Sequence, residues 1–259
     1  MLLHFENGTN KAAEWQNMSK TALIDFVRHM KNKMAQSSVR TYAAMFKSVL
    51  NDYKEEVELP KNFEDALSVK GVQCINAYMN ERDIRKFANY APKSKQEKYV
   101  QCVFMLGCMT GARHSDCVMF TKGNFMGENF AYVSEKTNKK TIVPMSPIVA
   151  RLISELPTAT PVNDANFNLI VRRIAKSAGI RDSVKVFRAG KYEEGERYKF
   201  IASHTARRSF ATNLYLRGAD LYNISKRMGH SDIKMTEGYV CCGLREQSEK
   251  VMKYFKKYE

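Results

Sequence analysis

Apolar side chains recur at helical spacing along most of the chain. Ser19 suits the N-cap position of a helix, and an amphipathic stripe follows it: Leu23, Ile24, Phe26, Val27 and Met30. A second helix begins at Ser37 or Ser38, and its stripe comprises Val39, Tyr42, Ala43, Phe46, Val49 and Leu50. Residues 97–109 are strongly apolar and predict a buried helix. The pattern therefore predicts a mainly helical protein.

Two segments alternate instead with the period of a β-strand. Residues 129–143 predict a hairpin with its turn at 136–140, and residues 184–201 alternate around two glycines. These strands are few beside the many helical segments. The predicted fold class is therefore mainly α with a small β-sheet (α+β).

Helical periodicity weakens between Pro60 and Tyr78, which indicates a domain boundary there. We place the boundary so that residues 1–72 form a helical domain with a basic surface. Residues 73–259 then form a second, mostly helical domain that contains the sheet.

The charge of the chain narrows the choice of partner. The 259 residues include 42 Lys plus Arg against 27 Asp plus Glu, which gives a formal net charge of +15. Such an excess favours a polyanion, because contacts to phosphates release counterions. Nucleic acid is the first candidate, and an anionic membrane surface is the second. We expect no membrane association, since no apolar run approaches the roughly 18 residues of a spanning helix and the N-terminus lacks a signal-peptide pattern.

The six cysteines show neither a CxxC pair nor the spacing of zinc ligands. We interpret them as reduced thiols of a cytoplasmic protein. Four of them are expected to be small buried side chains: Cys74, Cys102, Cys108 and Cys117. For Cys241 and Cys242 the sequence suggests no role.

The densest chemistry lies between Ser203 and Tyr239. Ser203 suits an N-cap, so residues 205–217 are predicted to be helical. His204 and Arg207 then share one face near the positive end of the helix dipole. An imidazole and a guanidinium that converge at this end suit a phosphate group.

Two tight turns extend this neighbourhood. Asp220 is predicted to cap a second helix that ends at Gly229, directly before His230. A third short helix is predicted to carry Tyr239. The turns therefore bring two histidines, an arginine and a tyrosine together.

This stretch resembles the C-terminal signature of the tyrosine recombinases, the family of phage and mobile-element integrases. In that signature an H-x-x-R box is followed by Gly-His and then by the nucleophilic tyrosine. The intervals here are 23 residues from Arg207 to His230 and 9 residues from His230 to Tyr239. Both intervals are similar to those of the family.

Two further motifs of the family precede this stretch. The phrase TGARHSDCVMF resembles the first arginine box, with Arg113 at the arginine and Asp116 at the acidic position. Lys136 matches the lysine that the family carries on a hairpin turn. A slip of register would assign that role to Lys139 or Lys140 instead.

The resemblance implies a transfer of DNA strands that needs no metal, no cofactor and no ATP. Arg113 and Arg207 would clamp the non-bridging oxygens of the scissile phosphate, because a guanidinium fork fits phosphate oxygens. Tyr239 would attack phosphorus and form a 3′-phosphotyrosine. His204 would be the general base, and His230 would add a hydrogen bond to the phosphate. Asp116 would hold Arg113 in place. Lys136 would donate a proton to the 5′ oxygen.

The resemblance also suggests DNA contacts and partners. The second helix resembles the helix of the family's core-binding domain that lies against DNA, which makes Arg40 and Lys47 candidate contacts. Arg172 and Arg173, on the polar side of a later helix, face either phosphates or water. A solvated basic face is the alternative in both places. The implied partners are double-stranded DNA attachment sites and a homo-tetramer in the synaptic complex, formed from a chain that is a monomer in free solution.

The tail after Tyr239 has one rough apolar stripe, formed by Leu244, Val251, Tyr254 and Phe255. The resemblance implies that this tail packs on a neighbouring protomer. Docking onto its own chain is the alternative.

Two other classes of protein compete with this interpretation. Residues 205–228 also fit the helix-turn-helix of a DNA-binding regulator, which leaves four residues unexplained: Arg113, Asp116, Lys136 and Tyr239. A type IB topoisomerase shares the tyrosine chemistry, but the helical N-terminal domain and the spacing from Gly-His to tyrosine favour a recombinase. Integrases, resolvases and transposases share these catalytic residues. The hairpin at 184–201 resembles an insertion in integrases of conjugative elements and phages.

Overall fold

The computed structural model describes residues 1–71, 74–157, 162–188 and 190–243, together with residues 248, 252 and 255. The fold is mainly helical with two small sheets, which confirms the predicted class. The helices are α1 (Leu2–Thr9), α2 (Lys20–Lys33), α3 (Gln36–Tyr53), α4 (Phe63–Ala66), α5 (Glu81–Ala88), α6 (Lys95–Thr110), α7 (His114–Cys117), α8 (Pro147–Ser154), α9 (Asp164–Ser177), α10 (Ser203–Leu216), α11 (Leu221–Arg227) and α12 (Ile233–Glu237). The strands are β1 (Phe125–Met126), β2 (Asn129–Val133), β3 (Lys140–Pro144), β4 (Ser183–Arg188) and β5 (Lys191–Glu196).

The first compact unit comprises Met1–Ile75 and Val186–Glu193. The tip of the β4–β5 hairpin belongs to it, because Ile75 and Phe187 exchange backbone hydrogen bonds of 3.1 and 2.9 Å. The boundary predicted at residue 72 instead leaves this hairpin wholly with the second domain. Helices α1, α2 and α3 enclose an apolar core that includes Phe5, Leu23, Phe26, Met30, Val39, Phe46 and Leu50.

The second compact unit comprises Asn76–Lys185 and Glu194–Glu259. Helix α6 runs through its core and is buried over most of its length, as predicted. A Cβ atom on Gly107 would lie only 2.9 Å from the Cβ atom of Ala206, so the glycine allows α6 and α10 to approach closely. Helix α6 ends at Gly111, whose φ of +70° is the left-handed conformation that glycine favours at a helix end.

The predicted hairpin is confirmed. Strands β2 and β3 pair antiparallel, with Val133 opposite Lys140, and leave residues 134–139 as the connecting loop. Strand β1 adds a third strand on the other side of β2. Strands β4 and β5 form a separate sheet that ends earlier than predicted, because residues 197–200 form a 3-10 turn.

Two of the three predicted helix caps are present. The side chains of Ser19 and Asp220 cap α2 and α11. Ser203 is not a cap but the first residue of α10. The hydroxyl of Thr205 accepts a hydrogen bond of 3.0 Å from the N–H of Ala202, which satisfies the backbone donor that precedes the helix.

The six cysteines, all in the described part of the chain, form no disulfide. Three of the four that were expected to be buried are buried: Cys102, Cys108 and Cys117. Cys74 is exposed, because it lies in a segment between α4 and α5 rather than in a helix core.

The predicted apolar stripe of the C-terminal tail is described at one residue, Phe255, which is 53% exposed. The other members of the stripe lie outside the described residues: Leu244, Val251 and Tyr254. In the ranges given above, every helix is too short or too polar to cross a membrane.

Candidate active site

Arg207 is the most deeply buried of the predicted site residues, with 1% of its surface exposed. Apart from Phe210, the neighbouring buried residues on α10 are small: Thr205, Ala206, Ser209, Ala211 and Thr212. The Nη1 atom of Arg207 donates to the carbonyl of Gly111, and Nη2 donates to the carbonyl of Met228 at 2.6 Å. The guanidinium therefore joins the C-terminal ends of α6 and α11.

His230 is buried directly after the Gly229 turn. Its Nε2 atom lies 2.7 Å from Nη2 of Arg207, and its Nδ1 atom lies 2.9 Å from Oγ1 of Thr236. An arginine only donates hydrogen bonds, so Nε2 is the acceptor and Nδ1 carries the proton of the neutral ring. Burial, followed by the charges of Arg207 and Arg113, lowers the pKa of His230 to about 4.

This arrangement changes the role expected for His230. The prediction assigns it a hydrogen bond to the phosphate, but its Nε2 lone pair is occupied by an N–H of Arg207. In this structure His230 therefore orients the guanidinium. The hydroxyl of Thr236 then accepts the proton on Nδ1 and anchors the other side of the ring.

Tyr239 packs against this pair. Helix α12 ends two residues before it, so the tyrosine lies in the following turn rather than on the helix as predicted. The guanidinium carbon of Arg207 and the ring centre of His230 each lie 5.3 Å from the centre of the Tyr239 ring. The N–H of Tyr239 donates to the carbonyl of Thr236 at 2.9 Å, and its own carbonyl accepts from the hydroxyl of Thr212 at 3.3 Å.

Arg113 and Asp116 bond to separate partners, contrary to the expected pairing. The Nη1 atom of Arg113 donates to Oγ of Ser134 at 2.9 Å, and Oδ1 of Asp116 accepts from the N–H of Glu135 at 3.0 Å. The prediction that Asp116 holds the guanidinium is wrong here, because the β2–β3 loop supplies a backbone donor for the carboxylate and a hydroxyl for the arginine. Both side chains thus fasten the turn after α6 to the loop that carries Lys136.

Asp116→Ala is expected to loosen this loop, at a cost of about 1.5 kcal/mol or more, the free energy of one hydrogen bond to a charged group. Asp116→Asn keeps an acceptor and is the matched control. Hydrogen exchange at the amide of Glu135 should quicken in Asp116→Ala and change little in Asp116→Asn. Unchanged exchange in Asp116→Ala would contradict the assigned contact.

Among the predicted catalytic residues, Lys136 and His204 are exposed. Partial loss of hydration, followed by the charges of Arg208, Arg207, Lys136 and Arg113, lowers the pKa of His204. The cation of Lys136 acts on this imidazole, so the β2–β3 loop lies near the start of α10. His204 is consequently neutral at pH 7, and a neutral imidazole can accept a proton.

The pKa of His230 predicts a pH dependence of stability. The folded value is about 4 against an ordinary value of 6.5. Between these values the unfolded chain binds more protons, so the free energy of unfolding should rise with pH across this window, by about 3 kcal/mol in total. Urea unfolding measured from pH 4 to pH 7 checks this, with His230→Asn as the reference for the other titrating groups. Parallel curves for the two proteins would contradict the prediction.

The predicted contacts on α3 are accessible to a ligand. Arg40 and Lys47 lie seven residues apart and so share one side of the helix. Arg40 is exposed and Lys47 is half-buried. A Cβ atom on Gly71 would lie 2.8 Å from Nη1 of Arg40, so the glycine leaves room for this guanidinium.

The predicted contacts on α9 lie in an open groove. Arg172 is half-buried, whereas Arg173 is exposed and has its Nη1 atom 3.9 Å from the carboxylate of Glu97. The Nζ atom of Lys176 lies 5.6 Å from the ring centre of Tyr198. The groove is lined by Leu169, Arg172, Arg173, Lys176, Tyr198 and Lys199. Its cations suit a phosphate backbone.

The structure thus gathers Arg207, His230 and Tyr239 into direct contact, and Arg113 and Asp116 bond to the loop that carries Lys136. Sequence reasoning missed three hydroxyl residues that hold the set: Ser134, Thr212 and Thr236. Of these, only Thr236 has a local signal, since it stands between Gly-His and the tyrosine. In the described part of the chain, no three His, Cys, Asp or Glu side chains are grouped so that they could hold a metal ion.

The fold and the cluster together define a tyrosine recombinase. A model of the phage integrase family matches residues 77–242, and the chain belongs to this family. It is similar to a tyrosine recombinase XerC of Rickettsia prowazekii (strain Madrid E), with 25% identity over 255 residues that cover 92% of this chain and 81% of the relative. The predicted family and the function as a site-specific recombinase are confirmed.

Two solved structures share the fold. One is a dimer of lambda integrase (75–356) bound to a COC′ core site, with a TM-score of 0.68, 13% identity, and coverage of 92% of this chain and 84% of that one. The other is a lambda integrase tetramer bound to a Holliday junction, with a TM-score of 0.64, 13% identity, and coverage of 91% and 68%. At these identities the comparison concerns the fold alone.

Proposed function

We propose that this recombinase cleaves and rejoins DNA attachment sites through a covalent 3′-phosphotyrosine on Tyr239. The packing of Tyr239 against the Arg207–His230 pair carries the proposal. A tyrosine beside a buried cation suits an attack on phosphorus, and this contact supports the proposal. A helix-turn-helix regulator would need neither this tyrosine nor Arg113 and Lys136 around it.

The positive charge of the cluster would act on the phosphate. A phosphodiester resists attack because its negative charge repels nucleophiles and grows on the non-bridging oxygens in the transition state. Arg113 and Arg207 would stabilise that charge. The Nε atom of Arg207 is buried and has no hydrogen-bond partner among the described residues, so it is a donor that a phosphate oxygen can use.

The phosphate must gain access to this donor. Arg207 is 1% exposed, and the ring of Tyr239 lies over it. We therefore expect that DNA binding moves the Tyr239 ring away from the guanidinium and that the scissile phosphate takes its place. Arg207 and His230 need not move, because backbone carbonyls and Thr236 already fix them.

The proton transfers follow from the positions of the remaining residues. A phenol keeps its proton near pH 7, so His204 would accept that proton as the Tyr239 oxygen bonds to phosphorus. The bond from phosphorus to the 5′ oxygen breaks, and Lys136 would protonate that oxygen. The phosphotyrosine conserves the energy of the broken bond, so reversal rejoins DNA without ATP. Arginine and lysine would carry the charge that metal ions supply in other nucleases.

A covalent capture experiment tests the proposal. A pool of nicked duplexes with randomised cores is incubated with the protein in EDTA, and the adducts are isolated under denaturing conditions, sequenced and resynthesised as single substrates. The nick releases a short strand after cleavage and so traps the adduct. We expect adducts joined through the 3′ phosphate. DNA that is bound without any adduct, or adducts that require Mg²⁺, would contradict the proposal.

Lys136→Ala is expected to slow cleavage of an ordinary duplex by roughly hundredfold, the usual size of a general-acid effect. A substrate with sulfur in place of the 5′ bridging oxygen should restore the rate, because a thiolate leaves without a proton. Lys139→Ala is the matched control and should cleave both substrates as the wild type does. If sulfur rescues Lys139→Ala instead, the lysines have been assigned in the wrong register.

The assembly and the wider DNA contacts belong to the same proposal. Double-stranded attachment sites would be bound by the helical domain, through Arg40 and Lys47, and by the groove around Arg172 and Arg173. The lambda integrase tetramer on a Holliday junction shares this fold, which supports a homo-tetramer as the synaptic complex. A role in a mobile element and a cytoplasmic location fit this function.

A further inference from the structure

Helix α12 has its polar and apolar residues on unexpected sides. Ile233 and Met235 are 40% and 45% exposed, whereas Thr236 is completely buried. Burial of a hydroxyl is unfavourable unless it forms a hydrogen bond, so hydrophobicity does not explain this arrangement. Segments that break the local folding rules tend to serve a site.

Thr236 contacts both partners of the site with different atoms. Its Oγ1 atom lies 2.9 Å from Nδ1 of His230, and its backbone carbonyl accepts the N–H of Tyr239 at 2.9 Å. One buried residue therefore spans the histidine that orients Arg207 and the tyrosine that packs against it.

We propose that Thr236 is a positioning residue that holds the ring of His230 in place and couples the His230–Arg207 pair to Tyr239. The coupling rests on the proposed role of Tyr239 as the nucleophile. Arg207 only donates and so takes the lone pair on Nε2, and the hydroxyl of Thr236 accepts the proton on Nδ1 and anchors the other side of the ring. The carbonyl sets the position of the turn from which the tyrosine attacks.

Loss of the hydroxyl has a defined consequence. Without an acceptor at Nδ1, the buried N–H of His230 is left unsatisfied, while Arg207 still requires the lone pair on Nε2. The ring then lacks the contact that fixes its orientation, and the guanidinium loses the partner that aims it. The backbone carbonyl remains, so the turn that carries Tyr239 should keep its place. The defect should therefore be confined to His230 and Arg207.

Two variants and two measurements test this. Thr236→Val removes the hydroxyl at nearly constant volume, Thr236→Ser keeps it, and Ser225→Ala removes another buried hydroxyl of the same unit as a control for stability. Nitrogen NMR of the His230 ring reports the tautomer and the exchange of the Nδ1 proton without DNA. The rate of adduct formation on a captured nicked duplex reports the chemistry.

We expect the ring to carry its proton on Nδ1 in both the wild type and Thr236→Val, because Arg207 takes the Nε2 lone pair, and we expect this proton to exchange faster in Thr236→Val. Adduct formation should fall about tenfold or more in Thr236→Val, the factor for one buried hydrogen bond, and stay within about twofold of wild type in Thr236→Ser and Ser225→Ala. A wild-type proton on Nε2, equal exchange of the Nδ1 proton in the wild type and Thr236→Val, or wild-type cleavage by Thr236→Val would overturn the proposal.

The NMR arm separates this inference from the proposed function. If the wild type forms no adduct on any duplex, the role of Tyr239 fails, while the exchange of the Nδ1 proton still decides the link between Thr236 and His230. If Thr236→Val does not fold, the wild-type tautomer and the activity of Thr236→Ser remain decisive. Loss of activity in Thr236→Ser with a normal tautomer would also count against the proposal.

Discussion

Tyr239→Phe is expected to bind DNA as tightly as the wild type and to form no covalent adduct. The substitution removes only the hydroxyl that would attack phosphorus. The phenyl ring can still cover Arg207 and contact His230 as the tyrosine does. The rate of adduct formation should therefore fall by more than about 10³-fold, because other side chains cannot replace a missing nucleophile.

The measurement compares wild type, Tyr239→Phe and Tyr222→Phe on the captured nicked duplex, with denaturing gels for adducts and gel shifts for binding. Tyr222 lies on α11 and is 55% exposed, so Tyr222→Phe controls for the loss of a phenol oxygen. Thermal unfolding should place all three proteins within about 1 kcal/mol of each other. An adduct that persists in Tyr239→Phe would show that a different residue is the nucleophile.

Much of the fold and of the candidate site could be predicted because these features depend on local patterns. The caps at Ser19 and Asp220 and the apolar segment of α6 are read directly from residue order. The intervals in sequence between Arg207, His230 and Tyr239 likewise do not depend on how the helices pack. These features need no knowledge of which distant segments meet.

The partners of the site residues could not be predicted for the opposite reason. The spacing makes Asp116 the expected partner of Arg113 three residues earlier, but the β2–β3 loop, about twenty residues downstream, bonds to both side chains. The ring of His230 is held between Arg207, which donates to Nε2, and Thr236, which accepts from Nδ1. These hydrogen bonds join separate segments of the chain. The periodicity of apolar residues does not predict which segments meet.

Arg207 shows most clearly how structure and chemistry overlap in this protein. The sequence motif predicts that Arg207 binds a phosphate. In the structure the same guanidinium donates hydrogen bonds to backbone carbonyls at the ends of two helices. Free carbonyls at helix ends need partners when they are buried. Arg207 and His230 are therefore held in place, and the ring of Tyr239 is the part expected to adjust when DNA binds.

Arg207→Lys is accordingly expected to lose both activity and stability. A lysine keeps the charge, but it has no planar fork with which to reach the carbonyls of Gly111 and Met228 and the ring of His230 together. Adduct formation should fall by more than about 10²-fold, as for loss of a charged transition-state contact. The free energy of unfolding should fall by about 3 kcal/mol, because buried carbonyls are left without donors.

The neighbouring residue provides the control. Arg208 is half-buried on the same turn of α10, and Arg208→Lys should change the free energy of unfolding by no more than about 0.5 kcal/mol. Adduct rates are compared at a temperature where urea titration shows that both variants are folded. A lower rate then reflects the loss of catalysis and not the loss of folded protein. An Arg207→Lys protein as stable as Arg208→Lys would mean that the two carbonyl contacts do not hold α6 and α11 together. Wild-type cleavage by the same protein would mean that a point charge serves the phosphate as well as the fork does.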